Sequence, residues 1–226
     1  MKNINDEIEL LDILCGKNNI KLTEKVKGKF LLYLRLLLDW NKRVSLISKN
    51  DENRIIERHF FESIILTKFI DKNSTKNFLD FGSGGGFPGI PIKIVIPELK
   101  GMLLEARKNK CLFLSKVIKE LKIDGVDVLH GRGEVISKNK EYAHKFDIIL
   151  SRAVYKLDKL IEVCINFFSN NKKAVMIFPK APDFSKELET VKNKYCKILK
   201  LEHQKIFYKT TENIDKELNL VKVFNK

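Results

Sequence analysis

Asp80-Phe81-Gly82-Ser83-Gly84-Gly85-Gly86-Phe87-Pro88-Gly89 gathers a carboxylate, five glycines and a proline into ten residues. Glycines at this density permit positive φ and let a ligand come close to the main chain. A helix starting just beyond them turns unpaired N–H groups toward an acceptor such as a carboxylate. Two cofactor chemistries fit the spacing. Gly84-x-Gly86-x-x-Gly89 matches the fingerprint that seats a dinucleotide pyrophosphate. Asp80-x-Gly82-x-Gly84-x-Gly86 instead sets an acid ahead of three alternating glycines. A carboxylate there suits an ammonium group, met directly or through water, and gives a pyrophosphate nothing. A glycine loop that makes only a tight turn is the third reading.

The acidic pattern is typical of S-adenosylmethionine-dependent methyltransferases, and this reading is preferred, with Asp80, Gly82, Gly84 and Gly86 as cofactor residues. The loop follows about 75 residues of helical sequence, whereas many dehydrogenases open with their fingerprint. Glu105 lies 25 positions after Asp80, at a strand end where an acid accepts hydrogen bonds from a ribose diol. It is otherwise a solvated strand-end charge. Gly131-Arg132-Gly133-Glu134 follows the next strand, beside the expected adenine, although Glu134 also suits an ordinary helix start. Ser151-Arg152-Ala153 closes a later strand. Arg152 there serves a carboxylate or phosphate, or a structural ion pair. Lys180, after a fifth strand, faces the same cleft.

The elements that must hold these groups follow from periodicity. Residues from about Glu7 to Ile70 read as helical, with Ile8, Leu11 and Leu14, and later Ile55, Ile56, Phe60 and Ile64, at helical spacing. Thr23 is the expected N-cap of a helix running to Trp40. Asn18-Asn19 and Lys49-Asn50-Asp51 read as turns, and the polar stretch Asp71–Asn77 as a boundary. Strands are then expected at Phe78–Phe81, Gly101–Glu105, Val126–Leu129, Phe146–Leu150 and Ala174–Phe178. Helices are expected at Ile90–Val95, Lys108–Leu121, Leu157–Phe168 and Asp183–Lys194. Two final strands, around Ile198–Leu201 and Leu218–Phe224, lack an intervening helix and suit an antiparallel pair. The expected fold is α/β, a class I (Rossmann-like) methyltransferase sheet over residues 73–226 with a helical extension over residues 1–72.

Composition narrows the setting. No apolar stretch approaches the ~20 residues of a membrane span. Met1–Glu7 lacks the apolar run of a secretory leader, so cytoplasm is expected. Cys15, Cys111, Cys164 and Cys196, like the four histidines, are scattered without metal-ligand spacing, so reduced thiols and no metal are expected. The net charge of +14 favours a polyanionic partner, since neutralised phosphates release counterions. A genomic bias toward lysine, asparagine and isoleucine, or a lysine surface serving solubility, accounts for it as well.

Trp40-Asn41-Lys42-Arg43-Val44-Ser45-Leu46, His59-Phe60-Phe61-Glu62-Ser63, Asp80–Pro91, Arg132-Gly133-Glu134 and Ser151-Arg152-Ala153 stand in that order. Together they resemble the bacterial small-subunit 16S ribosomal RNA guanine-N7 methyltransferases, the glucose-inhibited division protein B family. The resemblance runs from about Trp40 to the C-terminus. It implies S-adenosylmethionine contacts at Gly82, Phe87, Gly133, Glu134 and Arg152. It also implies a cytoplasmic enzyme methylating a guanine in the decoding-centre loop, on free rRNA, the small subunit or an assembly intermediate. Three positions depart from the family pattern. Asn109-Lys110 replaces a basic pair, Glu62 an aspartate, and Leu218 lies where a basic residue is common. Guanine N7 carries an exposed lone pair and attacks a sulfonium methyl without first losing a proton, so no general base is expected. Arg132, Arg152 and Lys180 are the expected RNA contacts, with Arg35, Lys42, Arg43, Arg54 and Arg58 extending the basic surface. The rival readings are a methyltransferase for another substrate and a non-catalytic, ribosome-associated RNA-binding factor.

Overall fold

A computed structural model describes residues 3–73 and 75–226. Met1 and Lys2 of the leading segment, and Ser74 of the expected boundary stretch, lie outside them. Helix α1 (Ile4–Lys17) buries Ile8, Leu11, Leu14 and Cys15 on one face, and the Asn3 side chain caps it by accepting from Asn5 N–H. In α2 (Glu24–Asn41) the Thr23 hydroxyl accepts from Val26 N–H, a cap contributing ~1 kcal/mol. Phe30, Tyr33, Leu34 and Leu37 are its buried stripe. Lys49–Glu52 is a short helix, α3, where a plain turn was expected, because Ser48 accepts from Asp51 N–H and caps it. The helix expected around Ile56 is wider than an α-helix. Ile56–Phe61 is π-helical and places Ile56, Phe60 and Phe61 inside, and α4 (Glu62–Ile64) and a 3-10 turn (Ile65–Phe69) follow.

The sheet then assembles from β1 (Asn77–Phe81), β2 (Lys100–Glu105), β3 (Val126–His130), β4 (Ile148–Leu150), β5 (Val175–Lys180), β6 (Leu199–Lys209) and β7 (Asp215–Asn225). Helices α5 (Gly89–Val95), α6 (Lys108–Glu120), α7 (Gly133–Ile136), α8 (Leu157–Cys164) and α9 (Ser185–Tyr195) connect or follow them. The strand order is β3-β2-β1-β4-β5-β7-β6. The first five strands are parallel, and β7 runs antiparallel to both neighbours. Strand order reverses beside β1, which opens a crevice at the C-terminal ends of β1, β2 and β4, where α/β sheets bind ligands.

Several boundaries differ from expectation. Phe146 makes only an isolated bridge to Phe168, so β4 is short, and α8 stops at Cys164. The terminal strands are far longer than expected, because β6 and β7 pair from Leu199↔Asn225 to Lys209↔Asp215. Their outer half carries clustered Lys, Gln, Asp, Glu and Asn without regular alternation, which weakens any sequence signal for a strand.

Period-two alternation divides the core. Phe78, Leu103, Ile148 and Ile177 face a layer containing α5 and α6 residues and the N-terminal helices. Leu79, Phe81, Ile149 and Met176 face α8 and α9. The N-terminal helices therefore share one continuous core with the sheet, through Tyr33 packed with Phe87 and Phe113, and Phe60 packed with Phe87 and backed by Phe30.

Candidate active site

Asp80 shares the β1 face of Phe78, so its carboxylate points toward α5 and away from the crevice. It is fully buried, and its Oδ2 accepts from Gly89 N–H at 2.9 Å. Any side chain at position 89 would meet that carboxylate, because a Cβ there lies 2.7 Å from Oδ2. Asp80 therefore braces the glycine loop from behind and does not line the cavity. Burial pushes its carboxyl up to about 7, although the Gly89 N–H and the Ser83 hydroxyl both work in the opposite direction.

The cavity in front of the loop encloses about 740 Å³. Of the residues expected to bind cofactor or RNA, it brings together Gly82, Gly84, Phe87, Glu105, Arg132, Gly133, Glu134 and Arg152. Gly86 is turned inward, against Ile90 and Tyr33. Lys180 lines a second cavity of about 390 Å³ that adjoins the first through Arg58, Arg152 and Ala153, and it pairs with Glu187 at 3.0 Å. The Glu105 carboxylate ties two loops together, accepting from Gly84 N–H at 2.9 Å and from Arg107 N–H at 2.8 Å. Gly133 packs its Cα against Phe81, where a Cβ would fall 2.2 Å from the ring. Glu134 accepts from the Tyr155 hydroxyl at 2.7 Å, and this bond holds its carboxyl below the usual range.

Arg152 makes a structural ion pair, one of the two roles weighed for it, at the cavity wall. It lines the cavity, and its guanidinium also donates to Glu62 Oε2 at 2.8 Å and to the Arg58 carbonyl. Burial lowers the Arg152 value and raises that of Glu62, and the mutual attraction opposes both shifts. Ala153 follows in the left-handed region (φ 55°), a turn uncommon for a residue with a Cβ, and lines both cavities.

Reading along the chain missed a wall built by the N-terminal helices: Leu46, Ile47, Ser48, Asp51, Arg58 and His59. Tyr33 fastens this layer to the loop through a 2.5 Å hydrogen bond to the Gly85 carbonyl. His59 packs on Phe87 with centroids 5.0 Å apart. Burial first, and the nearby Arg152 charge second, depress its imidazole to about 4, so it is neutral at neutral pH. In sequence, only the resemblance segments Trp40–Leu46 and His59–Ser63, the expected turn at Lys49–Asp51 and the basic Arg58 touched this wall, none of them as part of a cofactor cavity. Tyr155, which also lines the cavity, carried no sign, and Lys110 was noted only as part of a departure from the family pattern.

This sheet order, with a glycine loop after β1 and an acid ending β2, defines a class I S-adenosylmethionine-dependent methyltransferase fold. Solved structures agree at the level of fold. Precorrin-6y C5,15-methyltransferase from Geobacter metallireducens superposes with a TM-score of 0.53 at 9% identity, covering 73% of this chain and 87% of that one. M. jannaschii TYW2, solved in complex with AdoMet, superposes at 0.54 with 17% identity, covering 75% and 76%. The chain belongs to the GidB family, rRNA small subunit methyltransferase G, whose model matches residues 26–220. The Clostridium kluyveri ribosomal RNA small subunit methyltransferase G is 35% identical over 188 residues, 83% of this chain and 78% of that protein. Its Clostridium botulinum counterpart is 34% identical over 212 residues, covering 94% and 87%.

Proposed function

We propose that this protein uses S-adenosylmethionine to methylate N7 of a guanine in the decoding-centre loop of 16S rRNA, in the cytoplasm, on the small subunit or an assembly intermediate. The observation that carries the reading is the cavity at the strand-order reversal of a chain in this family, lined at one end by Glu105 and Gly133 and at the other by Arg152. The donor set fits this cofactor. Glu105 supplies acceptors for a ribose diol, and the close packing of Gly133 on Phe81 leaves a flat seat for a purine. Arg152 has five N–H donors and two are engaged, which leaves others for a carboxylate. A volume of about 740 Å³ suits a ligand of this size.

When bound, S-adenosylmethionine supplies an electrophilic methyl group on a sulfonium. The protein's task is to hold a purine nitrogen in line with it, an orientation that lowers a barrier by ~7–11 kcal/mol. Guanine N7 needs no deprotonation, so the reaction asks no proton transfer of His59, whose imidazole burial depresses to about 4. Arg132 at the cavity rim and Lys180 in the adjoining cavity mark a course for the RNA backbone. Exposed Arg35, with Lys42 and Arg43, extends the basic surface, although the last two share Asp39 at 3.9 and 3.1 Å.

Incubation with methyl-labelled donor and ribosomal substrates, followed by nucleoside analysis, tests the proposal. Labelled 7-methylguanosine from 16S rRNA is expected. Label in protein with RNA unlabelled would overturn the substrate. RNA binding without measurable donor binding would favour a non-catalytic factor.

A further inference from the structure

We infer that Asp51, on the wall contributed by the N-terminal helices, is the carboxylate that receives the α-ammonium of the methyl donor, a role the chain order assigns to Asp80. The assignment rests on the donor reading proposed above and deepens it.

An amino-acid tail is a zwitterion, held most strongly where a cationic donor meets its carboxylate and a carboxylate meets its ammonium. Asp80 cannot be that anion, because it is fully buried behind the loop and engaged by Gly89 N–H. Three carboxylates do line the cavity: Asp51, Glu105 and Glu134. Glu105, at the end of β2, is the acceptor assigned above to the ribose diol. Glu134 accepts from Tyr155 beside Gly133, at the purine end. Asp51 remains, on the same wall as Arg58 and in the same cavity as Arg152.

Its surroundings suit the task. Ser48 Oγ donates to Asp51 Oδ2 at 2.7 Å, and Asp51 N–H donates back to Ser48 Oγ at 3.2 Å, which fixes the side chain. The segment before it is held to the end of α2, because Asn41 Oδ1 accepts from Leu46 N–H and Ile47 N–H at 2.9 and 3.0 Å. The Leu46 carbonyl also lies 3.5 Å from a Cβ position on Gly85. His59 Nε2 stands 3.7 Å from Asp51 Oδ2, and neither ring nitrogen of His59 has a hydrogen-bond partner among the described residues. The Ser48 hydrogen bond holds the Asp51 carboxyl below its ordinary range, so it is ionised and available to a cation. A carboxylate reading the Watson–Crick edge of guanine belongs on the side of the purine away from the donor. Asp51 stands 3.7 Å from the His59 ring that packs on Phe87, and the segment before it meets Gly85, so it belongs to the glycine-loop side of the cavity.

Calorimetry with three ligands tests this: S-adenosylhomocysteine, its analogue lacking the α-amino group, and 5′-methylthioadenosine, which lacks the whole tail. Asp51→Asn should weaken S-adenosylhomocysteine binding about 10- to 100-fold, the loss expected for one charge-assisted hydrogen bond. It should leave the deamino analogue and methylthioadenosine at their wild-type affinities. Equal loss for all three ligands would mark Asp51 as structural and overturn the assignment. Unchanged S-adenosylhomocysteine binding would overturn it too, with or without weaker methylation of RNA; weaker methylation would move Asp51 to base recognition. A wild-type protein that ignores S-adenosylhomocysteine would overturn the donor reading itself, an outcome distinct from the others.

Discussion

Replacing Asp80 by Asn should make the protein progressively more stable than wild type as pH rises. The Asp80 carboxyl is fully buried, with Oδ1 lacking any partner among the described residues and Oδ2 held by Gly89 N–H. Its folded-state value, about 7, is raised from an ordinary 3.8. A carboxyl raised in this way favours the folded state fully below its unfolded value, and that advantage disappears as pH climbs through the folded one. The window therefore runs from about pH 4 to about pH 7, at ~1.4 kcal/mol per pH unit, for a total of about 4 kcal/mol at most. Asn keeps an oxygen for Gly89 N–H and leaves an amide facing the apolar core, at a pH-independent cost of ~1–3 kcal/mol. The diagnostic quantity is thus the slope of the variant-minus-wild-type difference. His59, whose depressed value acts with the opposite sign, is common to both proteins and cancels. Urea denaturation of the ligand-free proteins at intervals from about pH 4.5 to about pH 8 measures it. A difference that stays flat across that range would refute the view that Asp80 is a desolvated brace.

Three other perturbations test separate parts of the site. Glu62→Ala strands the Arg152 guanidinium and should cost ~3–5 kcal/mol in thermal or urea unfolding, with Glu62→Gln retaining part of the loss. Gly84→Asp sets a second carboxylate beside Glu105, which accepts from the Gly84 N–H, and should abolish donor binding by calorimetry while the far-ultraviolet spectrum stays native. Iodoacetamide on the native protein should label Cys196 alone, because Cys15, Cys111 and Cys164 are buried and burial raises the Cys15 thiol to about 12; peptide mass mapping reads this directly.

The glycine loop and the parallel core were legible because each rests on local signals: a strand, a run of residues free of Cβ, and a helix in immediate succession. Which way a residue faces was harder to read. Asp80 stands in the expected place on the expected strand, yet alternation along β1 sends it to the α5 side. Arg152 and Glu62 are separated by 90 positions, so their ion pair exists only once the π-helical turn has docked on the end of β4. The Asp51–His59 wall could not be read as part of a cavity for the same reason. Its residues gain meaning from Gly85 and Phe87, which arrive later in the chain. The inner half of the terminal hairpin was legible, and its outer half escaped notice because pairing, and not composition, stabilises it. Phe207 and Lys209 lie exposed on an edge strand whose ladder is complete on one side only.

The hydrogen bond from Tyr33 to Gly85 crosses 52 residues of sequence and carries a temporal consequence. During synthesis the first two helices emerge before the loop and helices that cover them exist, and at ~5–20 residues per second that interval lasts several seconds. Phe30, Tyr33 and Leu34 must stay soluble through it without their eventual neighbours. A nascent chain stalled shortly before Phe78 would therefore display an oily stripe to the chaperones around the exit tunnel, and release from them would coincide with the arrival of Phe87 and Phe113.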